Sequence, residues 1–175
     1  FVNKETMASG LFREKGWHVV PCSVPARLRA VRYAWEQFLL PLQTRKHHLD
    51  LLHSLGYVQP LKLSCKSVVT IHDLNFYNIK MSPLRKAVLQ YFVLRSAKTA
   101  DHIITISEFS KKQIVELLGV SPEKVTVTYN APKERTVRQI DFKELERRYN
   151  INQPYILALS SPSPHKNIGN LIRAF

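Results

Sequence analysis

Apolar residues along the chain follow two alternating patterns. Continuous runs that read as strands occupy residues 17–23, 67–71, 102–106, 124–129 and 155–159, with a shorter one at 50–53, and the run at 67–71 is the clearest and is β-branched in character. Runs of this kind suit strands buried on both faces, as in a parallel sheet. Between them, apolar positions recur at helical spacing. Residues 26–45 carry Leu28, Val31, Ala34, Trp35, Phe38, Leu39 and Leu42 in that rhythm. Pro41 sits inside the pattern and is expected to end or kink the helix. Residues 84–97 predict a second helix, with Arg85, Lys86, Arg95 and Lys98 among its polar positions. Ser107 is expected to cap a helix that runs to Leu118 and stops at Gly119. Residues 142–149 and 166–175 predict two more. Strands separated by helices and short turns imply an α/β fold built on a parallel sheet. The polar stretch 131–153 lacks a strand. It divides the chain into a first domain at 1–130, a connection, and the first βα unit of a second domain at 154–175.

Composition narrows the class. Of 175 residues, 45% are hydrophobic and 22% charged, which supports a packed core and excludes wholesale disorder. No run of eighteen apolar residues offers a membrane-spanning helix. Lys and Arg number 26 against 13 acids, a net charge of +13. That leaves nucleic acid, anionic lipid or a phosphorylated small molecule as natural counter-charges. The excess has a location: residues 51–100 hold seven basic residues and one acid, Asp73, whereas 101–150 hold nine against eight. Cys22 and Cys65 are too few and too far apart for a disulfide framework or a thiolate zinc site, so reduced thiols in a cytoplasmic protein are expected. The chain opens at Phe1 without a signal pattern, and residues 171–175 read as a helix cut in mid-turn, so a fragment is expected.

Ligands of open parallel sheets bind at the carboxyl ends of the strands. That rule selects His72 and Asp73, Ser107, Tyr129 and Asn130, and the turn at 160–166. His72 either takes part in chemistry or bonds backbone carbonyls. Asp73 either orients His72 or caps a turn. Ser107 most simply caps its helix. Lys166 opens the last helix, where ammonium and helix dipole together can hold a diphosphate, or it is a solvated lysine. His72, Asp73 and Ser107 are the residue types of a hydrolase triad, but no Gly-x-Ser-x-Gly elbow accompanies them. His47, His48 and His53 with Asp50 match no recognised ligand spacing, and no metal is expected.

In order along the chain come Val68-Val69-Thr70-Ile71-His72-Asp73-Leu74, then Asp101-His102-Ile103-Ile104-Thr105-Ile106-Ser107-Glu108-Phe109-Ser110-Lys111, then Val127-Thr128-Tyr129-Asn130. Upstream stand Trp35-Glu36-Gln37 and Asp50-Leu51-Leu52-His53-Ser54, and downstream Pro164-His165-Lys166-Asn167-Ile168. This series resembles the family-four retaining glycosyltransferases of GT-B fold. The resemblance implies a Rossmann-like acceptor-side domain followed by the start of a truncated, donor-binding Rossmann-like domain. It implies sugar transfer from a nucleotide-diphosphate donor to a glycan or lipid-linked acceptor, as in polysaccharide biosynthesis, with no cofactor. It places His72 at the acceptor and reacting sugar, Lys166 on the donor diphosphate, and Asp73, Ser107, Asn130 and His165 around the cleft. His165 stands where members often carry Arg, which removes a permanent charge. Ala131 follows Asn130 where Gly is common, and the donor-site glutamate pair is not within the 175 residues. Glu108 and Glu116 share that pair's spacing but read as solvated partners of Lys111 and Lys112. The chain alone is therefore expected to be inactive.

The basic helix at 84–97 has three readings: a surface for anionic membrane, an attractor of phosphorylated acceptors, or a solvated face. The first would place the protein peripherally on the inner face of the membrane. Two other classes compete with the transferase. A basic α/β nucleic-acid-binding module would explain the charge but lacks any recognition motif, so no nucleic-acid partner is expected. A non-catalytic partner subunit lacking the donor site is the other.

Overall fold

The computed structural model describes residues 1–3, 6–7, 16, 18–22, 24, 28–132, 141–151, 153–159, 161 and 166–175. The chain forms two compact units, Phe1–Ala131 and Pro132–Phe175.

The first unit is an α/β layer structure around a parallel sheet. Strands β3 (Leu51–Ser54), β4 (Lys66–Thr70), β5 (His102–Thr105) and β6 (Val125–Val127) pair in chain order, every neighbour parallel. A separate two-stranded parallel ladder joins β1 (Val2–Asn3) to β2 (Pro21–Cys22). Helix α3 (Pro83–Thr99) connects β4 to β5, and α4 (Glu108–Leu118) connects β5 to β6. The core lies between sheet and helices, where Val69, Ile71, Ile103 and Val125 meet Val93, Ala97, Ile114 and Leu118. The helices bury the face that carries Val69, Ile103 and Val125, whereas alternate positions on the other face, among them Val68, His102 and Thr126, are half-buried or exposed, so the expected burial on both faces holds for one.

Polar groups tie this core as well. Gln59 is buried; its N–H donates to Ser96 Oγ of α3 at 3.0 Å and its amide to Ser67 Oγ of β4 at 3.2 Å. Asp101 receives the Ser67 N–H at 2.9 Å and the Lys66 ammonium at 2.9 Å, and these bonds hold its carboxyl below the usual carboxylate range. The turn out of α3 is thereby locked to the start of β4.

Several boundaries differ from the sequence pattern. The helix expected at 26–45 is three pieces: α1 (Arg29–Ala34), a π-helical turn (Trp35–Leu39) and α2 (Leu40–Lys46). Pro41 is the cause. It offers no N–H to Gln37, and its ring would strike that carbonyl in a regular α-helix. The wider turn, in which the Leu40 N–H reaches Trp35 O, relieves the clash. The strand expected at 17–23 is confined to Pro21–Cys22 among the described residues, since only the short β1 is available to pair with it. Lys124 belongs to a 3₁₀ turn (Pro122–Lys124), and β6 ends at Val127, where β5 ends beside it. Helix α4 and the Ser107 and Gly119 caps follow the sequence pattern: Ser107 Oγ accepts the Ser110 N–H at 3.1 Å, and Gly119 takes a left-handed φ of 59°.

The second unit contains α5 (Phe142–Tyr149) and α6 (Ile168–Ala174). Asp141 caps α5 through the Lys143 N–H at 3.0 Å, and neither helix buries a residue. Residues 155–159, expected as a strand, are irregular and exposed. A strand apolar on both faces requires neighbouring strands and covering helices. None pairs with this segment among the described residues. The last helix begins at Ile168, behind Asn167 with a left-handed φ of 55°, so Lys166 precedes it rather than opening it.

Candidate functional site

Because all four main strands are parallel, their carboxyl ends share one rim. His72 and Asp73 leave β4 there, Ser107 follows β5, and Tyr129 and Asn130 follow β6. Asn130 and Tyr129 are exposed, whereas His72, Asp73 and Ser107 are half-buried.

His72 is fixed by the loop after β3. Its Nε2 lies 3.2 Å from Leu55 O. A carbonyl can only accept, so Nε2 carries the proton and, in the neutral ring, Nδ1 keeps a free lone pair. The Tyr57 ring stands edge-on to the imidazole, with centroids 5.9 Å apart, and edge-on to Phe76 at 6.2 Å. Tyr57 itself is pinned by its N–H to Thr70 O at 2.9 Å and takes a left-handed φ of 50°, an unusual backbone for an aromatic residue.

Asp73 caps the turn that follows. Its Oδ1 accepts the Asn75 N–H at 2.9 Å, and its Oδ2 accepts the Tyr57 hydroxyl at 3.3 Å. Burial, together with the Asp73 charge and hydrogen bond, pushes the Tyr57 hydroxyl up to about 12. Among the described residues, Asp73 is linked to His72 through Tyr57. Nothing in the sequence pattern singled out Tyr57 or Leu55.

Ser107 spends its hydroxyl on the α4 cap, accepting from Ser110 N and donating to Ser110 Oγ at 3.1 Å. Glu116 pairs loosely with Lys112 at 3.9 Å on the exposed side of α4. His53 Nε2 bonds Thr70 Oγ1 at 2.8 Å, across the β3–β4 pair, and His47 packs edge-on against Phe1. Lys166 is exposed in the second unit. His165 lies outside the described residues.

A cavity of about 930 Å³ opens beside β3. Apolar side chains of Val20, Cys22, Trp35, Leu40 and Leu52 line it, together with Glu36, and Leu55 and Tyr57 give it a wall in common with the His72 site. Burial pushes the Glu36 carboxyl up, partly offset by Arg32 at 3.2 Å. The Gln37 side chain clamps the loop after β3, donating to Gln59 O at 3.0 Å and accepting the Leu61 N–H at 3.1 Å. Trp35-Glu36-Gln37 thus builds the π-helical turn, one cavity wall and a backbone clamp in a single stretch.

The pattern of Glycosyltransferase Family 4 matches residues 6–131, ending where the first compact unit ends. Over 105 residues the chain is 30% identical to the O-antigen chain mannosyltransferase RfbU of Salmonella typhimurium. The match takes in 60% of this chain but 27% of that protein, so the chain corresponds to about a quarter of its relative. A parallel α/β unit, a histidine and an aspartate at the carboxyl end of its central strand, and a family match over most of its length agree: the chain belongs to glycosyltransferase family 4.

Proposed function

We propose that this chain supplies the acceptor side of an enzyme that moves a sugar from a nucleotide-diphosphate donor to a glycan or lipid-linked acceptor, with retention at the anomeric carbon. Mannose is the first sugar to try, because the relative is named a mannosyltransferase. The observation that carries the reading is His72, held at the rim of the parallel sheet by Leu55 O.

In this reading the neutral imidazole is catalytic through Nδ1. With Nε2–H committed to the carbonyl, Nδ1 accepts a hydrogen bond from a hydroxyl of the acceptor or the reacting sugar and orients it. Tyr57 and Asp73 act as positioning residues behind it, the first by edge contact and the second through the Tyr57 hydroxyl. Lys166 balances the charge that develops on the leaving diphosphate. His165 gives that site a weaker, titratable partner where an arginine would give a permanent fork. Ser107 and Asn130 border the acceptor, Ser107 by shaping the α4 terminus and Asn130 through its exposed amide. No cofactor or metal takes part. The 175 residues alone bind acceptor but do not turn over.

Transfer of labelled sugar from a panel of nucleotide-diphosphate sugars tests this, run with the 175-residue chain and with any longer product of its reading frame. His72→Ala in an active product is expected to lower kcat at least a hundredfold with little change in melting temperature. Full activity of that variant would remove the catalytic assignment.

A further inference from the structure

Helix α3 presents an outer face that none of the described residues covers. Leu84, Val88, Tyr91, Arg95 and Lys98 follow one another at spacings of three and four, so they form one stripe along the helix. Every one of them is exposed; Leu84 is 77% and Tyr91 54% accessible. Arg85 flanks the stripe and is exposed too. The opposite face is spent on the core through Val93, Ser96 and Ala97. Two large apolar side chains and a valine in water along one helix face are unusual for a surface with no partner.

The charge of this face is one-sided. Helix α3 contains no acidic residue, and none of Arg85, Arg95 and Lys98 pairs with a carboxylate among the described residues. Asp73, the single acid of residues 51–100, is occupied by Asn75 and Tyr57. Lys86 turns inward, its ammonium on Tyr77 O. In the neighbouring α1, Tyr33 stacks on Phe92 of α3 at 5.9 Å and 7°, and Leu28 and Val31 beside it are exposed.

We propose that the outer face of α3 docks this protein on an anionic phospholipid surface, with Leu84, Val88 and Tyr91 entering the headgroup boundary and Arg85, Arg95 and Lys98 meeting lipid phosphates. Apolar and basic residues mixed on one exposed face match the layered chemistry of that boundary, where an aromatic hydroxyl and long cationic side chains stay wet while their apolar parts are buried. A nucleic-acid groove would draw on the cations but give Leu84 and Val88 nothing to bury against. No described helix is long and apolar enough to cross a membrane, so the contact is a docking and not a span. The proposal uses none of the residues assigned to transfer, and failure of the transfer assays leaves it untouched.

Co-sedimentation with phosphatidylcholine vesicles, with and without 30% phosphatidylglycerol on the order of physiological salt, is the test. Binding is expected only to the anionic vesicles and to fall as salt rises. Each basic residue at such a surface contributes about fivefold in partition, so Arg85→Gln/Arg95→Gln/Lys98→Gln is expected to lose on the order of a hundredfold. Lys143→Gln/Arg147→Gln/Arg148→Gln on α5 removes the same charge elsewhere and is expected to change partition about twofold at most. Leu84→Ser/Tyr91→Ser is expected to cost on the order of tenfold. All these positions are exposed, and far-ultraviolet circular dichroism checks that each variant is folded. Equal losses from the α3 and α5 triple variants would reduce the effect to net charge and overturn the proposal. So would an unchanged Leu84→Ser/Tyr91→Ser variant, equal binding to neutral vesicles, or retention on duplex DNA by a protein that ignores the vesicles.

Discussion

Strand β4 and residues 155–159 both fall in stretches that the sequence pattern reads as strands, and their circumstances are opposite. Val69 and Ile71, at and just beyond the end of β4, have no accessible surface, whereas Leu159 is 94% exposed. β4 has a parallel neighbour on each side and helices over the face that carries Val69. The 155–159 segment has neither among the described residues. An apolar run therefore states a demand for neighbours, and its conformation depends on whether they are supplied. The same contrast runs through the helices. α4 places Ile114 and Leu118 in the core, while α5 and α6 bury nothing.

Truncations test this contrast most strongly. Ile71→Ala should lower unfolding stability by about 2–5 kcal/mol, the range for a fully buried aliphatic side chain. Leu157→Ala should stay within about 0.5 kcal/mol. Urea unfolding of both variants measures the gap, and comparable losses would mean that the second segment is packed in solution. Ser96→Ala is the next largest expected effect. It leaves the buried Gln59 N–H without its acceptor, at a cost of about 1–3 kcal/mol. A Tm unchanged from wild type would show that another group takes its place.

The two helix caps divide the units more finely. Ser107→Ala should cost about 1 kcal/mol in global unfolding, because α4 is part of the core. Asp141→Ala removes an equivalent cap from α5, yet should register as lost helicity by circular dichroism with no shift of the main transition. The smallest effect concerns pH. Tyr57 titrates near 12 in the folded protein against an ordinary value of 10.0. The folded state holds that proton more tightly, so the stabilisation is complete below the ordinary value and is lost as the pH rises through about 12. Tyr57→Phe should flatten the alkaline limb of the stability curve, and a tyrosinate absorbance titration should lose its latest component.

Much of the first unit was legible because local and long-range signals agree there. Residues 67–71 and 102–106 mark β4 and β5 to within a residue or so. α4 lies between a serine cap and a glycine stop whose physics is local. The π-helical turn was less legible. Pro41 signals trouble, but whether a helix ends, kinks or widens depends on what surrounds it, here the clamp of Gln37 on Gln59 and Leu61. The site divides the same way. His72 and Asp73 could be placed from the end of a strand. Leu55 and Tyr57 could not, because their approach depends on a loop that folds back onto Thr70 O.

The strand order β3-β4-β5-β6 is also the order of synthesis. Each new strand pairs with the one made just before it, so no strand waits for a partner still to be translated. As the chain leaves the ribosome, β4 can settle on β3 before α3 is complete, and α3 can close over β4 before β5 appears. The hydrophobic edge open to the solvent at any moment is then a single strand wide. A protease pulse on stalled nascent chains should find protection advancing in steps, one βα unit at a time, from Leu51 to Val127.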